Sequence, residues 1–136
     1  MPKYLFQVNY VGEGVKGLLK DGGSKRRAIT EKLFKSVGGS LEAYYYAFGD
    51  TDLYIIADFP NHAAVTACSL NVTATGSITV KTTVLMTPEE VDAAVVALVL
   101  TVAATGTVTL KTTVLLTPEE VDEAAKKTPT YSPPGR

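Results

Sequence analysis

The chain has 136 residues, 46% of them hydrophobic and 20% charged, which is typical of one globular domain. Its 13 Lys and Arg against 14 Asp and Glu argue against a nucleic-acid partner and against a polybasic membrane anchor. One cysteine and one histidine exclude an internal disulfide and a Cys/His zinc cluster, so we expect no metal and no cofactor.

The first third of the chain predicts a strand, a loop and a helix. Alternating apolar residues predict the strand over 4–10, and the glycine-rich stretch after it predicts a loop with one helical turn over 15–20. Ser24 can cap a helix that runs to Val37, where Gly38 and Gly39 end it. The apolar side chains of this helix share one face: Ala28, Ile29, Leu33, Phe34 and Val37.

A hairpin follows, and after it a second helix. Residues 41–48 and 53–58 predict its two strands, joined by a tight turn over Gly49–Asp52. Pro60 and Asn61 then open a helix from His62 to about Thr75. Apolar residues occupy both sides of the first two strands, so we expect both faces of the sheet to be covered, one by helices and one by a partner sheet.

A segment of thirty residues occurs twice in tandem. Residues 63–92 are repeated as 93–122, with 21 of the 30 positions identical. Each copy contains an alternating run, 78–85 or 108–115, that predicts a half-buried strand. Both strands fit the same place in a sheet, and the sequence leaves open which copy takes it.

Each copy ends in Thr-Pro-Glu-Glu-Val-Asp, which predicts the start of a helix. Thr87 and Thr117 are at the N-cap position, a proline follows at the first helical position, and Glu90 and Glu120 complete a capping box. We therefore interpret these acids as helix caps and not as a catalytic carboxylate pair.

The first of these helices is predicted to run from Pro88 to about Thr105 and is apolar on every face over 93–104. Such a helix must be covered on all sides, which one small domain cannot do alone. The sequence therefore predicts an obligate homo-oligomer, and it allows a strand exchanged between subunits. The predicted interface residues are Val96, Leu98, Leu100 and Val102.

The order of the first six elements, β-α-β-β-α-β, predicts a ferredoxin-like α+β sandwich, here extended by a duplicated α-β-α unit. We expect one domain over 1–125 and a flexible, proline-rich tail over 126–136. The longest apolar stretch is shorter than the roughly 20 residues of a membrane span, and the first residues do not form a signal peptide. These features predict a cytoplasmic protein with no membrane contact.

Three segments resemble a known family. They are the opening MPKYLFQVNYVGEGVKGLLKDGGSKRR, the hairpin YYYAFGDTDLYIIADFP, and VKTTVLMTPEEVD at the end of the first copy. Together they resemble the bacterial GYD-domain family over about 1–92, and the second copy resembles the C-terminal half of that family again. The Gly-x-Tyr-Asp motif of the family corresponds to Gly49–Asp52, with Thr51 in place of the tyrosine.

The resemblance implies a ferredoxin-like fold of the dimeric α+β-barrel superfamily. Related barrel families include small-molecule monooxygenases and haem-binding enzymes, an analogy that concerns the fold alone.

The candidate catalytic residues are His62, Asp52 and Tyr45. The imidazole of His62 titrates near neutral pH, as a general base should, but its position also fits an exposed residue of a first helical turn. Asp52 fits a turn-forming residue as well as a proton carrier. Cys68 becomes Leu98 in the second copy, so we interpret it as a small core residue.

Two further clusters could bind a ligand. Four phenols, those of Tyr10, Tyr44, Tyr45 and Tyr46, could line a pocket or pack at a dimer face. Three consecutive cations, Lys25, Arg26 and Arg27, could bind an anion or form a solvated helix start.

Two functions remain after these arguments. The first is an oligomerising or small-ligand-binding protein with no catalytic set. The alternative is a cofactor-independent small-molecule enzyme, monooxygenase- or isomerase-like, that uses tyrosines and His62 in a pocket between helices and sheet. A closed cavity with converging polar groups would favour the enzyme, and a filled interior would favour the first function.

Overall fold

The computed structural model describes residues 1–95, 113–127 and 131–134. Their helices and strands follow in this order: β1 (Lys3–Tyr10), α1 (Gly14–Asp21), α2 (Gly23–Lys35), β2 (Ser40–Tyr46), β3 (Leu53–Asp58), α3 (His62–Thr73), β4 (Ile78–Leu85), α4 (Pro88–Ala94) and α5 (Pro118–Lys126).

The four strands form one antiparallel sheet in the order β2-β3-β1-β4. The two central strands, β1 and β3, are each connected through a helix to an edge strand that is not their sheet neighbour, β1 to β2 through α2 and β3 to β4 through α3. This is the ferredoxin-like arrangement that the sequence predicts. Phe6 of β1 lies opposite Ile55 on one side and Thr82 on the other, and the pairing of β2 with β3 shifts register between Leu41 and Ala43. The predicted α+β fold class is confirmed.

The core lies between one face of this sheet and the helices. Along β1 the side chains of Tyr4, Phe6, Val8 and Tyr10 are buried, and the residues between them are half-buried on the opposite face. The predicted alternation of the first strand is therefore confirmed. Phe6, Phe34 and Phe59 form an aromatic cluster in this core, with the rings of Phe34 and Phe59 4.9 Å apart and inclined at 67°.

Some element boundaries differ from the predicted ones for local reasons. The loop after β1 contains two helical turns, α1, and not one. Its first residue, Gly14, lies against Ser77 just before β4, where a Cβ atom would be 2.2 Å from the Ser77 carbonyl oxygen. The strand predicted to reach Phe48 ends at Tyr46, because Phe48 adopts a φ of 56° that no strand accommodates.

The two copies of the repeat have different roles. The first copy supplies α3 and β4, and β4 pairs with β1 over eight residues. In the second copy, residues 113–117 lie outside any helix or strand, and the remainder of the predicted strand over 108–115 is outside the described residues. The free edge of β1 accepts one strand, and the first copy occupies it.

Both predicted helix starts are present. Thr87 and Glu90 form the full capping box of α4, and the Thr117 hydroxyl accepts a hydrogen bond from the Glu120 amide at 3.1 Å. Yet α4 buries no residue, whereas α5 packs on α3 and buries Ala124. The helix predicted from Pro88 to Thr105 is described only as far as Val95, so its apolar part from residue 96 onward falls outside the described residues.

Part of the proline-rich tail is among the described residues. Residues 131–134 lie on the domain, with Pro134 fully buried and its carbonyl oxygen accepting a hydrogen bond from the Ser77 hydroxyl at 3.1 Å. The cause is a buried arginine whose donors these residues satisfy, as the next subsection describes. None of the helices described here is long and apolar enough to cross a membrane.

Candidate functional site

A cavity of about 40 Å³ lies between the sheet and helices α2 and α3. Most of its wall is apolar and comes from strands β1, β3 and β4 and from both helices. These apolar side chains are Phe6, Val8, Leu33, Phe34, Leu53, Ile55, Val72, Ile78 and Val80.

Polar groups also reach the cavity. Tyr10 and Tyr44 reach it from the sheet, Arg26 and Thr30 from α2, and Tyr131 from the C-terminal segment. An apolar wall with a few converging polar groups is the usual composition of a small-molecule site.

Arg26 is the central charge of this site. It lies in the first turn of α2 and is 2% exposed. Its Nη1 atom donates to the Ser132 carbonyl oxygen at 2.9 Å, and its Nη2 atom donates to the Tyr131 hydroxyl at 2.8 Å. The nearest carboxylate in the described structure, that of Asp21, is 3.4 Å from Nη1. A buried guanidinium requires such partners, since an unpaired charge in an apolar interior is costly.

The phenols beside Arg26 are kept neutral by burial. Burial raises the pKa of Tyr46 to about 12 and shifts the pKa values of Tyr10 and Tyr44 upward as well. The pKa of Tyr131 is also raised by burial, against the lowering effect of the nearby Arg26 charge. At neutral pH these hydroxyls therefore serve as hydrogen-bonding groups and not as bases.

The tyrosine cluster divides between the two faces of the sheet. The rings of Tyr44 and Tyr46 meet edge to face with centroids 5.5 Å apart, and the Tyr46 hydroxyl donates to the Gly23 carbonyl oxygen at 3.3 Å. Tyr45 points to the opposite face and is 72% exposed. Tyr10 and Tyr44 line the cavity, and Tyr46 packs against Tyr44 without entering the cavity wall. Tyr45 is not part of the cavity, because side chains alternate along a strand.

The three consecutive cations also separate. Lys25 and Arg27 are exposed on α2, and Arg26 alone turns inward. The Lys25 ammonium group lies 3.4 Å from Asp21. Of the two alternatives, the solvated helix start describes Lys25 and Arg27 but not Arg26, because helical geometry places each consecutive residue about 100° further around the axis.

Cys68 lines the same cavity from α3 and is 2% exposed. Burial raises the pKa of its thiol to about 12. A buried, protonated thiol behaves as a small apolar side chain, which agrees with the core role predicted from the Leu98 of the second copy.

His62 lies at the first position of α3, as predicted, but away from the cavity wall. Its Nδ1 atom is 2.6 Å from the hydroxyl of Tyr4, and the two rings meet edge to face. The imidazole is half-buried, where the sequence predicts an exposed residue. Asn61 caps the helix by accepting from the Ala64 amide at 2.9 Å.

Asp52 fixes the hairpin turn to the end of β1. Its Oδ2 atom accepts a hydrogen bond from the Tyr10 amide at 2.9 Å, and its own amide donates to the Asn9 side chain at 2.9 Å. These contacts agree with the interpretation of Asp52 as a turn residue. Neither Asp52 nor His62 belongs to the cavity wall.

Sequence reasoning missed three contributors to the site: Thr30, Tyr131 and Ser132. Thr30 faces the cavity from the turn of α2 after Arg26, and the other two belong to the tail. The sequence held one signal for the tail residues: Tyr131 is a large aromatic residue in an otherwise polar, proline-rich segment, which is typical of a residue that packs on the domain. The predicted interface residues Val96, Leu98, Leu100 and Val102 lie outside the described residues.

The model of the GYD domain family matches residues 4–95, which is more than half of the chain. The protein belongs to the GYD family. Neither the comparison with curated proteins nor that with solved structures gives a match. The match ends after α4, so the GYD domain supplies Arg26, the phenols and the apolar wall, while α5 and Tyr131–Pro134 follow the matched region. Within the described residues no group of His, Cys, Asp or Glu side chains could hold a metal ion.

Proposed function

We propose that this GYD protein binds a small, largely apolar molecule in the cavity between its sheet and helices α2 and α3. The observation that carries this proposal is the cavity itself, an apolar chamber with neutral phenols and one guanidinium among its lining groups. Natural ligand sites combine an apolar wall with few, well-placed polar groups in this way.

The size of the cavity limits what it holds. One buried water needs roughly 10–15 Å³, and a benzene-sized guest needs on the order of 150 Å³. The volume of about 40 Å³ is enough for a few waters only. A ligand therefore enters only if a lining side chain moves, and binding is coupled to a local rearrangement.

The phenols in and beside the cavity favour binding over the enzymatic alternative. A general base needs a pKa near the working pH, and burial moves the pKa values of Tyr10, Tyr44 and Tyr46 upward, away from neutrality. His62, the residue on which that alternative chiefly depends, is engaged with Tyr4 and is not in the cavity wall.

The test uses phenol as the probe and follows amide chemical shifts by NMR during a titration. Cys68→Leu narrows the cavity with the residue that the second copy has at the aligned position, and it should weaken phenol binding at least tenfold. Thr66→Val, which also introduces the second-copy residue but outside the cavity wall, is the matched control. The absence of saturable shifts around the cavity, or equal weakening by both variants, would contradict the proposal.

A second candidate function, self-association, is supported by the face of the sheet opposite the helices. Ala43, Ile56 and Leu5 lie side by side across β2, β3 and β1 and are only half-buried, and Tyr45 lies opposite Tyr54 in the next row. An apolar row in the middle of a sheet face is typical of a surface that a second layer covers. A second copy of the chain is the partner that the dimeric α+β-barrel resemblance implies.

Light scattering tests this second candidate. The wild type should have twice the 14.4 kDa mass of the chain, and Ile56→Arg should reduce it to one chain because it places a charge in the middle of the apolar row. Leu19→Arg, on the exposed surface of α1, is the control and should leave the mass unchanged. A wild-type monomer at micromolar concentration would rule out the candidate.

A further inference from the structure

We propose that the C-terminal segment Tyr131–Pro134 occupies the position of a ligand at Arg26. The group that displaces it there is the carboxylate of a small apolar acid. This inference rests on the proposed function, since it names the chemical class that the cavity takes. It also makes the tail a competitor that regulates binding.

The charge of Arg26 is only partly balanced. Asp21 contacts both Lys25 and Arg26, each at 3.4 Å, so its carboxylate is shared between two cations. The shorter hydrogen bonds of the guanidinium go to two neutral oxygens, those of Ser132 and Tyr131. Hydrogen bonds between two charged groups are stronger than those to neutral acceptors, so a carboxylate is a better partner for Arg26 than the tail is.

The geometry of the tail oxygens specifies a carboxylate in particular. The Ser132 carbonyl oxygen accepts from Nη1 at 2.9 Å, and the Tyr131 hydroxyl accepts from Nη2 at 2.8 Å. Two oxygens, one on each terminal nitrogen, resemble the arrangement in which a guanidinium holds the two oxygens of one carboxylate. The tail therefore contacts the guanidinium as a bidentate carboxylate would, but through two neutral oxygens.

The apolar body of the acid follows from the position of the Tyr131 ring. This ring is half-buried, lines the cavity, and lies with its centroid 5.5 Å from the guanidinium carbon of Arg26. Its departure would enlarge the apolar chamber next to the freed guanidinium. An acid with one carboxylate and an aromatic or short aliphatic body would fill both spaces, whereas a phosphate would place two charges against an apolar wall.

No ion pair holds the tail in the described structure: it is attached by the burial of Tyr131 and Pro134 and by hydrogen bonds of its neutral groups, so a charged competitor can displace it from Arg26. Beyond Arg26, its hydrogen bond in the described structure is that of Pro134 with the Ser77 hydroxyl, at 3.1 Å. Ser132 is exposed. The acid binds only to molecules whose tail has left Arg26. The apparent affinity is therefore the intrinsic affinity multiplied by the fraction of molecules in that state.

The experiment uses phenylacetate and its neutral analogue phenylacetamide as probes. The chain contains no tryptophan, so Tyr131→Trp places a single fluorophore on the tail. Phenylacetate should shift its emission to longer wavelength in a saturable way as the indole moves into water. Phenylacetamide should act at least tenfold more weakly.

Two milder variants keep the test valid if the tryptophan disturbs the tail. Tyr131→Phe keeps the ring but loses the hydroxyl bond to Arg26, so it should bind phenylacetate several-fold more tightly than the wild type by calorimetry. Thr66→Val, which also removes a hydroxyl but outside the cavity wall, is the control and should leave the affinity unchanged. Arg26→Gln should remove the preference for the acid over the amide.

The outcomes separate this inference from the proposed function. Equal binding of phenylacetate and phenylacetamide with no change in the emission would overturn the tail mechanism and leave the cavity as a ligand site. Unchanged phenylacetate affinity in Tyr131→Phe would also overturn it. If neither these probes nor phenol binds to any of the proteins, both proposals fail.

Discussion

The hydroxyl of Tyr4 and the Nδ1 atom of His62 lie 2.6 Å apart and join the first residues of β1 to the first turn of α3. Tyr4 is 2% exposed and packs against Phe59 as well, so its hydroxyl has little access to water. The one histidine of the chain therefore satisfies a buried polar group in the core.

This contact changes the outcome expected for His62→Ala. The exposed position that the sequence predicts would leave stability intact, whereas the structure predicts a loss of about 1–3 kcal/mol because the Tyr4 hydroxyl loses its partner. Urea denaturation measures the loss, and phenol binding should persist. In the double variant with Tyr4→Phe, the loss of stability should be smaller than the sum of the losses in the two single variants. Full additivity would show that the hydrogen bond contributes nothing.

The thiol of Cys68 should be nearly inert in the folded protein. Burial raises its pKa to about 12 from an ordinary value near 9, which lowers the reactive thiolate fraction about a thousandfold at pH 8. Labelling with iodoacetamide, followed by mass spectrometry, should therefore be slower in the native chain than in guanidinium by roughly that factor. A native rate within tenfold of the denatured rate would mean that the cavity wall opens often.

Stability should fall in strongly alkaline solution because of the buried phenols. The pKa of Tyr46 in the folded state is about 12, above its ordinary value near 10, and burial also raises those of Tyr10 and Tyr44. The folded state therefore retains these protons where the unfolded state releases them. Their contribution is complete below about pH 10 and is lost as the pH rises through 12.

Urea midpoints between pH 8 and pH 12 check this dependence. The decline should be shallower in Tyr46→Phe, which has no proton to lose at that position. Cys68→Ala measures the share of the buried thiol, whose pKa is also raised. A midpoint that stays constant to pH 12 would show that these groups titrate alike in both states.

The two copies of the repeat allow a matched test of which helix packs on the domain. Ala124 of α5 is 1% exposed against α3, whereas the aligned Ala94 of α4 lies in a helix that buries nothing. Ala124→Leu should cost about 1–3 kcal/mol through overpacking, and Ala94→Leu should change stability by about 0.5 kcal/mol or less. Thermal unfolding of both variants measures the difference. A larger loss of stability in Ala94→Leu than in Ala124→Leu would show that the helix of the first copy, and not that of the second, packs on the domain.

The sequence also makes a prediction about the apolar stretch over 93–104. On the helix predicted over this stretch, replacing Val96 and Leu100 with Glu would put two unpaired charges one turn apart, and light scattering should then show monomers or aggregates. The control is the Val91→Glu variant of α4, whose side chain is exposed. An unchanged mass and melting temperature in the double variant would refute the predicted interface.

Much of the fold was accessible from the sequence because its signals are local. Period-two alternation predicted β1, β3 and β4, and β3 and β4 have the predicted bounds. The Thr87 cap depends on a residue only three positions away, so it too was predicted correctly. Such neighbours lie within one turn or one strand pair, where geometry is set by the residues themselves.

The tertiary structure decided between alternatives that local sequence patterns do not distinguish. The strands of the two copies are nearly identical in sequence, and β1 has a single free edge, so only packing could select the first copy for the strand and the second for the helix. Likewise Lys25, Arg26 and Arg27 are three similar cations in sequence. Arg26 alone is buried, and the partners of its guanidinium, Tyr131 and Ser132, lie more than one hundred residues further along the chain. A contact at that separation exists only once the chain has folded, since nothing near Arg26 in the sequence determines it.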